Sequence, residues 1–514
     1  MRRSVSIVAV AVLLVVSGCA APAATPSVSP DDERELGDYG EIGPDTTFEF
    51  EGATAEDLSD RELEAIKHRS MARIEVLRGL PFEEDVDFEI ITREEYRDRT
   101  TWGDEPADPA TNELWRGAFV VDGDTDVNEA FERLYGDAVQ GYYSGGTVVL
   151  VTDDRGTIDR STLVHELVHA LQDQHFGLSR EGTTLDAQRA ETGLIEGEAN
   201  YVPQLYDEQC ESEWQCLPDP EPPEEDPEER PFNVGLFLSI FAPYSEGPAF
   251  VEHLHDPDGE GPTTVSGDWS AVDGAYEVRP TSTTQLIHPD RYPDVDPVEI
   301  EVEDRSSDEW TPFENDGEIE RATIGEATLF GSLWANGIVD RPIDEGGTEL
   351  SPFNYSHPTT DGWAGDEFVV YHHAADENRT GHVWELAWVS ESDAEEFYDA
   401  YLTLLESQNA EPIDAADNEY RIPDDEPFAG AYRVTLENDT IEIVAGPSID
   451  SLEEIRPAES GNVSFVDGAG TTESGGDGLA GGGSVGAGSG VTGLDGVGSI
   501  GAGLDGVGSV AVAS

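Results

Sequence analysis

The chain has 514 residues, of which 111 are Asp or Glu and 27 are Lys or Arg, giving a formal net charge of −84 at pH 7. That field repels phosphate and excludes nucleic acid as a partner, while acid spread along nearly the whole chain argues against a single calcium site or one basic partner. With Lys67 the only lysine, the composition predicts a solvated surface built for very high salt, where screening removes most of the self-repulsion.

Residues 1–19 are expected to lie outside the fold. Arg2 and Arg3 precede an apolar run from Val5 to Val16, too short for a stable membrane-spanning helix, so the stretch reads as a signal sequence. It ends in Val16-Ser17-Gly18-Cys19, which resembles a lipobox. The resemblance implies acylation of Cys19 and a lipid anchor holding the exported protein to the outer face of the cytoplasmic membrane; the alternative is an ordinary signal peptide with an incidental cysteine. The Arg pair leaves both Sec and twin-arginine export open, since Ser6 departs from the usual apolar follow-on. Residues 20–50 are Ala/Pro/Ser/Thr-rich and then acidic, a solvated tether.

About 400 residues then remain for one large or two modest domains. We divide them into a first part, 51–345, and a C-terminal α+β part of the same module, 346–458. Residues 54–79 predict a helix, with Asp60 as cap and Leu63, Ile66, Met71, Ile74 and Leu77 at helical spacing. Tyr142-Tyr143 precede a β-type run at 146–152, expected to be an edge strand able to hold an extended peptide. A helix bounded by Asp159 and Gly177 follows, then a second from about Thr184 to Tyr206. Residues 217–230 are Pro and acid, an exposed loop; further helices are expected near 246–256 and 324–339. In the C-terminal part Phe368–Tyr371 and Val383–Trp388 read as paired strands, with 394–407 a helix behind them. The whole predicts an α+β fold. Residues 459–514 are Gly/Ser-rich, repeat Gly-Leu-Asp-Gly-Val-Gly-Ser, and cannot bury a core.

The stretch that carries chemistry is His165-Glu166-Leu-Val-His169. On a helix, positions i and i+4 share a face, so both imidazoles can reach one tetrahedral zinc, with Glu166 beside the attacking water as general base. The plain alternative is a pair of core histidines. Two histidines leave zinc half-coordinated, and a third ligand is needed. His175 has metzincin spacing, but Gln172 stands where that arrangement needs its glycine, and Met1 and Met71 both lie upstream of any methionine turn.

The other candidates are Glu196 and Glu198. H-E-x-x-H followed by a helix bearing E-x-x-A resembles the gluzincin arrangement. That resemblance implies Glu196 as the third zinc ligand and Asn200, four positions on, as the residue supporting a ligand histidine; Asn departs from the usual acidic residue there. Glu198 is the alternative register, with Val202 at the supporting position. The run from Tyr142 through the motif helix to Glu198 also resembles a group of haloarchaeal surface lipoproteins with gluzincin-like sites. Pro243-Tyr244-x-x-Gly247, Pro280–Pro289 and Gly362-Trp-Ala-Gly-Asp366 look like later motifs of that group.

The resemblance implies a Zn2+-dependent metalloendopeptidase with a peptide or protein substrate. Tyr142, Tyr143, Tyr244 and His288 are candidates for the oxyanion donor. The alternatives are a zinc-binding surface module that no longer cuts and a purely structural envelope protein. Cys210 and Cys216 predict an extracytoplasmic disulfide in an acidic loop, and sequons at Asn354, Asn378, Asn438 and Asn462 fit a surface location. Oligomeric state has no signature in the sequence.

Overall fold

The computed structural model describes residues 34–48, 58–99, 106–135, 139–152, 158–218, 233–257, 267–315, 317–348, 350–413 and 418–458. The expected signal sequence with Cys19, most of the expected tether, most of the Pro- and acid-rich stretch, Asn462 and the Gly/Ser-rich stretch 459–514 lie outside them.

The chain opens with α1 (Asp60–Arg78), β1 (Asp87–Thr92), α2 (Arg93–Arg99), α3 (Pro109–Gly117), α4 (Val127–Tyr135), β2 (Gly141–Ser144) and β3 (Thr147–Thr152). Five helices follow: α5 (Arg160–His175), α6 (Leu185–Ser212), α7 (Val234–His255), α8 (Ser270–Glu277) and α9 (Thr284–Ile287). Next come β4 (Trp310–Pro312), β5 (Glu314–Asn315), β6 (Glu318–Ile319), β7 (Arg321–Ala322), α10 (Glu326–Ala335) and α11 (Pro358–Asp361). The last stretch holds β8 (Trp363–His373), β9 (Asp376–Trp388), α12 (Glu391–Ser407), β10 (Glu411–Pro412), β11 (Glu419–Ile422), β12 (Gly430–Glu437), β13 (Thr440–Gly446) and α13 (Ile449–Ile455). This is an α+β fold.

Three strands form a small sheet in the order β1-β3-β2, with β1 parallel and β2 antiparallel to β3. The run at 146–152 is therefore the central strand, and the expectation of an edge is corrected. All of Val148–Val151 is buried, because α5 packs on one face and Tyr96 with Val139 on the other; a strand covered on both faces reads as a continuous apolar run. The edge beside the motif helix is β2.

The larger sheet runs β10-β11-β12-β13-β9-β8-β4, with β7 also paired to β8. The expected pairing is present, with Val369 opposite Val383. Because Trp310 pairs with His373 and Arg321 with Val369, this sheet reaches back well before residue 346, so a boundary there cuts through it. Strands of two or three residues carry no periodicity that could have shown this.

Helix bounds shift where caps and burial decide them. Ser59, not Asp60, caps α1: its N–H and hydroxyl both donate to the Glu62 carboxylate at 2.8 and 2.6 Å. α6 begins after Thr184, whose hydroxyl accepts from Ala187 N at 3.1 Å, but it continues through Pro203 to Ser212, so Cys210 lies on its last turn and not in a loop. Cys210 and Cys216 are disulfide-bonded, with Cα atoms 5.6 Å apart.

α7 is twice the expected length because it starts at Val234 and runs through Pro243 before reaching the expected stretch, which itself contains Pro248. It is the only helix among the described residues long and apolar enough to cross a membrane, yet most of it is packed inside the protein. Its first half, with Leu236, Leu238 and Ala242, joins the core under the large sheet. Its second half, with Phe250 and Val251, joins the core around α1, α5 and α6. One buried helix therefore ties the sheet to the motif helices.

Candidate metal centre

α5 forms where expected. The Asp159 side chain accepts from Thr162 N at 2.7 Å, and Gly177, one residue beyond the C-cap, turns away with φ 72°, a conformation glycine adopts without strain. His165, Glu166 and His169 are buried, at 1 %, 0 % and 6 % exposure.

α6 brings Glu196 to them. Glu196 Oε2 lies 3.3 Å from His165 Nε2 and 3.4 Å from His169 Nε2, and the two Nε2 atoms are 3.0 Å apart. Ligand bonds of 2.0–2.1 Å in a tetrahedron space neighbouring donor atoms by about 3.3 Å, so this triangle has the size one zinc ion requires. Among the described residues His165, His169 and Glu196 are also the only fully buried trio of such donors.

Each Nε2 is free for that role because each Nδ1 is occupied elsewhere. Asn200 Oδ1 lies 3.1 Å from His165 Nδ1, and its amide nitrogen donates to Glu196 O at 2.9 Å, so Asn200 takes the supporting position the sequence assigned to it. Gln172 Oε1 lies 2.8 Å from His169 Nδ1. Sequence reasoning used Gln172 only to exclude a metzincin; its signal was the i, i+3 spacing from His169 on one helix face.

The three side chains are electrostatically coupled. Burial lowers the pKa of His165, and the neighbouring His169 adds to this. Burial also pulls His169 down, but the Glu196 charge outweighs it and carries the ring up to about 9. Glu196 is held well below the usual carboxylate range by the two histidines despite its burial. Without an ion the trio is thus an imidazolium–carboxylate pair beside a neutral imidazole, and a divalent ion would take the place of the proton on His169.

Glu166 stands beside this trio. Burial, reinforced by Glu196 and opposed by His169, pushes it up to about 8. Neither of its oxygens has a partner in hydrogen-bonding geometry; the Tyr143 N–H on β2 exerts only a weak lowering effect. A buried charged carboxylate with open acceptor sites is costly, which is why burial favours the protonated form. β2 reaches this carboxylate at Gly141, where an added Cβ would meet Glu166 Oε1 at 3.1 Å and Thr162 Cγ2 at 2.6 Å. Glycine there keeps the edge strand close to the motif helix.

The remaining candidates separate clearly. His175 leaves the site, its Nε2 2.7 Å from Pro81 O. Glu198 points away from the histidines and bonds Arg78, Tyr276 and Gln172. Of the four oxyanion candidates only Tyr244 meets the trio, its hydroxyl donating to Glu196 Oε1 at 3.3 Å. Tyr143 donates to Asp173 at 2.8 Å, Tyr142 packs on Tyr96, and His288 pairs with Glu326 at 2.8 Å.

Tyr244 arrives through a close helix crossing. A Cβ on Gly197 would lie 2.4 Å from the Gly247 carbonyl group, and one on Gly247 would lie 2.2 Å from Gly193 O. Backbone-to-backbone contact of α6 and α7 is open only to glycine at these positions. The later sequence motifs anchor the start of α6: Thr283 N lies 3.3 Å from both Asp186 oxygens, and its hydroxyl accepts from Ala327 N at 3.2 Å. Asp366 accepts from the N–H groups of Ile324 and Gly325 at 2.8 and 3.0 Å and from both Trp363 and Trp384. These motifs build scaffold around the site.

Residues 311–456 match the family model of a domain of unknown function, DUF8575. The matched stretch covers most of the large sheet and leaves out α5 and α6. No curated protein matches the chain, and no solved structure matches it.

Proposed function

We propose that the protein is a zinc-dependent metalloendopeptidase with a gluzincin-like core, exported to the surface of a halophile and tethered through a lipid on Cys19 to the outer face of the cytoplasmic membrane. The observation that carries the reading is the triangle of His165 Nε2, His169 Nε2 and Glu196 Oε2, with sides of 3.0, 3.3 and 3.4 Å, beside the buried carboxyl group of Glu166.

Those three side chains would hold the ion. When bound, zinc polarises the scissile carbonyl and lowers the pKa of its water toward neutrality. Glu166 would take the proton of the attacking water and pass it to the leaving amine. Asn200 and Gln172 hold the imidazoles with Nε2 free. The open side of β2 offers backbone groups for an extended peptide by strand addition, and Gly141 keeps that strand beside Glu166.

Glu166→Gln tests the reading. Casein cleavage in molar salt should vanish while bound zinc, measured by native mass spectrometry, stays at one per chain; undiminished cleavage disposes of the role.

The complete burial of Glu166 favours one second reading, a zinc-binding surface protein that does not cut. It predicts stoichiometric zinc with no chelator-sensitive cleavage of any protein substrate.

A further inference from the structure

We propose that Gln172 is a positioning residue of the metal centre, holding His169 with its proton on Nδ1 and its Nε2 lone pair turned toward His165 and Glu196. The inference rests on the zinc reading of that trio.

The argument is one of donors and acceptors. Gln172 Nε2 lies 2.8 Å from Ile195 O, 3.1 Å from Glu198 Oε2 and 2.9 Å from Tyr276 Oη. A backbone carbonyl and a carboxylate only accept. The amide nitrogen must face them, since the flipped amide would set its oxygen against two other oxygens. That leaves Oε1 facing His169 Nδ1 at 2.8 Å. An amide oxygen only accepts, so Nδ1 carries a hydrogen, and Nε2 is the nitrogen left to bind the ion.

The amide is in turn fixed by groups that do not touch the trio. Tyr276 donates to Glu198 Oε2, and Arg78 Nε donates to Glu198 Oε1. Arg78 also donates to Asp273 at 2.5 Å and stacks on Trp269, its guanidinium carbon 4.5 Å from the ring. Arg78, Glu198 and Gln172 are each 1 % exposed. The second glutamate of Glu196-Gly-Glu198 thus acts one step removed, orienting the amide that orients the histidine. Both histidines are held by neutral amides, and Gln172 is the one whose orientation a buried ion pair enforces.

The test uses the full chain in molar salt with 15N-labelled histidine. In the zinc-loaded wild type, His169 should show a hydrogen-bonded Nδ1–H and a metal-bound Nε2; a His169 bound through Nδ1 overturns the proposal without any variant. Gln172→Met fills the space without bonding, and Tyr276 and Arg78 still satisfy Glu198. It should weaken zinc binding by about 10–100-fold in competition with a chelator and abolish the His169 Nδ1–H signal while that of His165 persists. Equal zinc affinity in variant and wild type overturns the positioning role alone. A wild type that binds no zinc overturns the metal reading and this inference together.

Discussion

The Nε2 atoms of His165 and His169 face each other at 3.0 Å, with both Nδ1 atoms turned onto amide oxygens. The two Nε2 atoms and the Glu196 carboxylate then converge on one point, and on the zinc reading an ion bound there stabilises the fold. We therefore expect chelator to lower the melting temperature in molar salt and added zinc to restore it. At free zinc 100-fold above its Kd the gain is about 2.7 kcal/mol. Superimposable melting curves with and without chelator would count against a metal at this place.

The contact between Gly197 and Gly247 holds α6 against α7. Gly197→Ala puts a methyl group 2.4 Å from the Gly247 backbone. The helices must separate, at an expected cost of about 1–3 kcal/mol, and Tyr244 moves away from Glu196. Denaturant midpoint and zinc affinity should fall together. A variant as stable as wild type would mean that the crossing is looser than described.

Three buried carboxylates give stability a defined pH dependence. Burial pushes Asp186, Asp366 and Glu246 up to about 7, about 6 and about 8, whereas in the unfolded chain they ionise near pH 4. Their stabilising effect is complete below the unfolded values and is lost as pH rises through the folded ones. Melting temperature in molar salt should therefore fall from pH 5 to pH 8. Asp186→Asn should flatten that fall by roughly 2–4 kcal/mol of pH-dependent stability. A slope unchanged in the variant would remove Asp186 from the account.

The Cys210–Cys216 bond closes a short loop that clamps residues 44–48. Gln215 accepts from Phe48 N at 3.0 Å and donates to Phe48 O at 3.3 Å, and Arg73 donates to Gln215 O at 3.1 Å and to Pro44 O at 2.8 Å. Cys210→Ser should cost about 2 kcal/mol and speed proteolysis between residues 34 and 48. Digestion at the wild-type rate would show that the clamp holds without the bond.

Surface charge sets the last expectation. With −84 formal charges, dialysis from molar to millimolar salt should unfold the chain as screening is lost. An unchanged circular dichroism spectrum would refute it.

The sequence determined the parts of this protein that depend on local period. His165 and His169 share a face because a helix repeats every 3.6 residues, and Asn200 supports His165 for the same reason, four positions after Glu196. The α5 cap at Asp159 was legible too, as was the pairing of the stretches 368–371 and 383–388, though not its register. The resemblance already favoured Glu196 over Glu198, and the tertiary structure sets Glu196 against the histidines while Arg78 and Tyr276 hold Glu198 on the other side of α6. Only the tertiary structure decided that the run at 146–152 is central, that α7 passes through two prolines, and that Gln172 and Tyr244 join the site. Each of those depends on contacts between residues far apart in the chain, where close packing and the pairing of buried polar groups choose among arrangements that local pattern leaves equal.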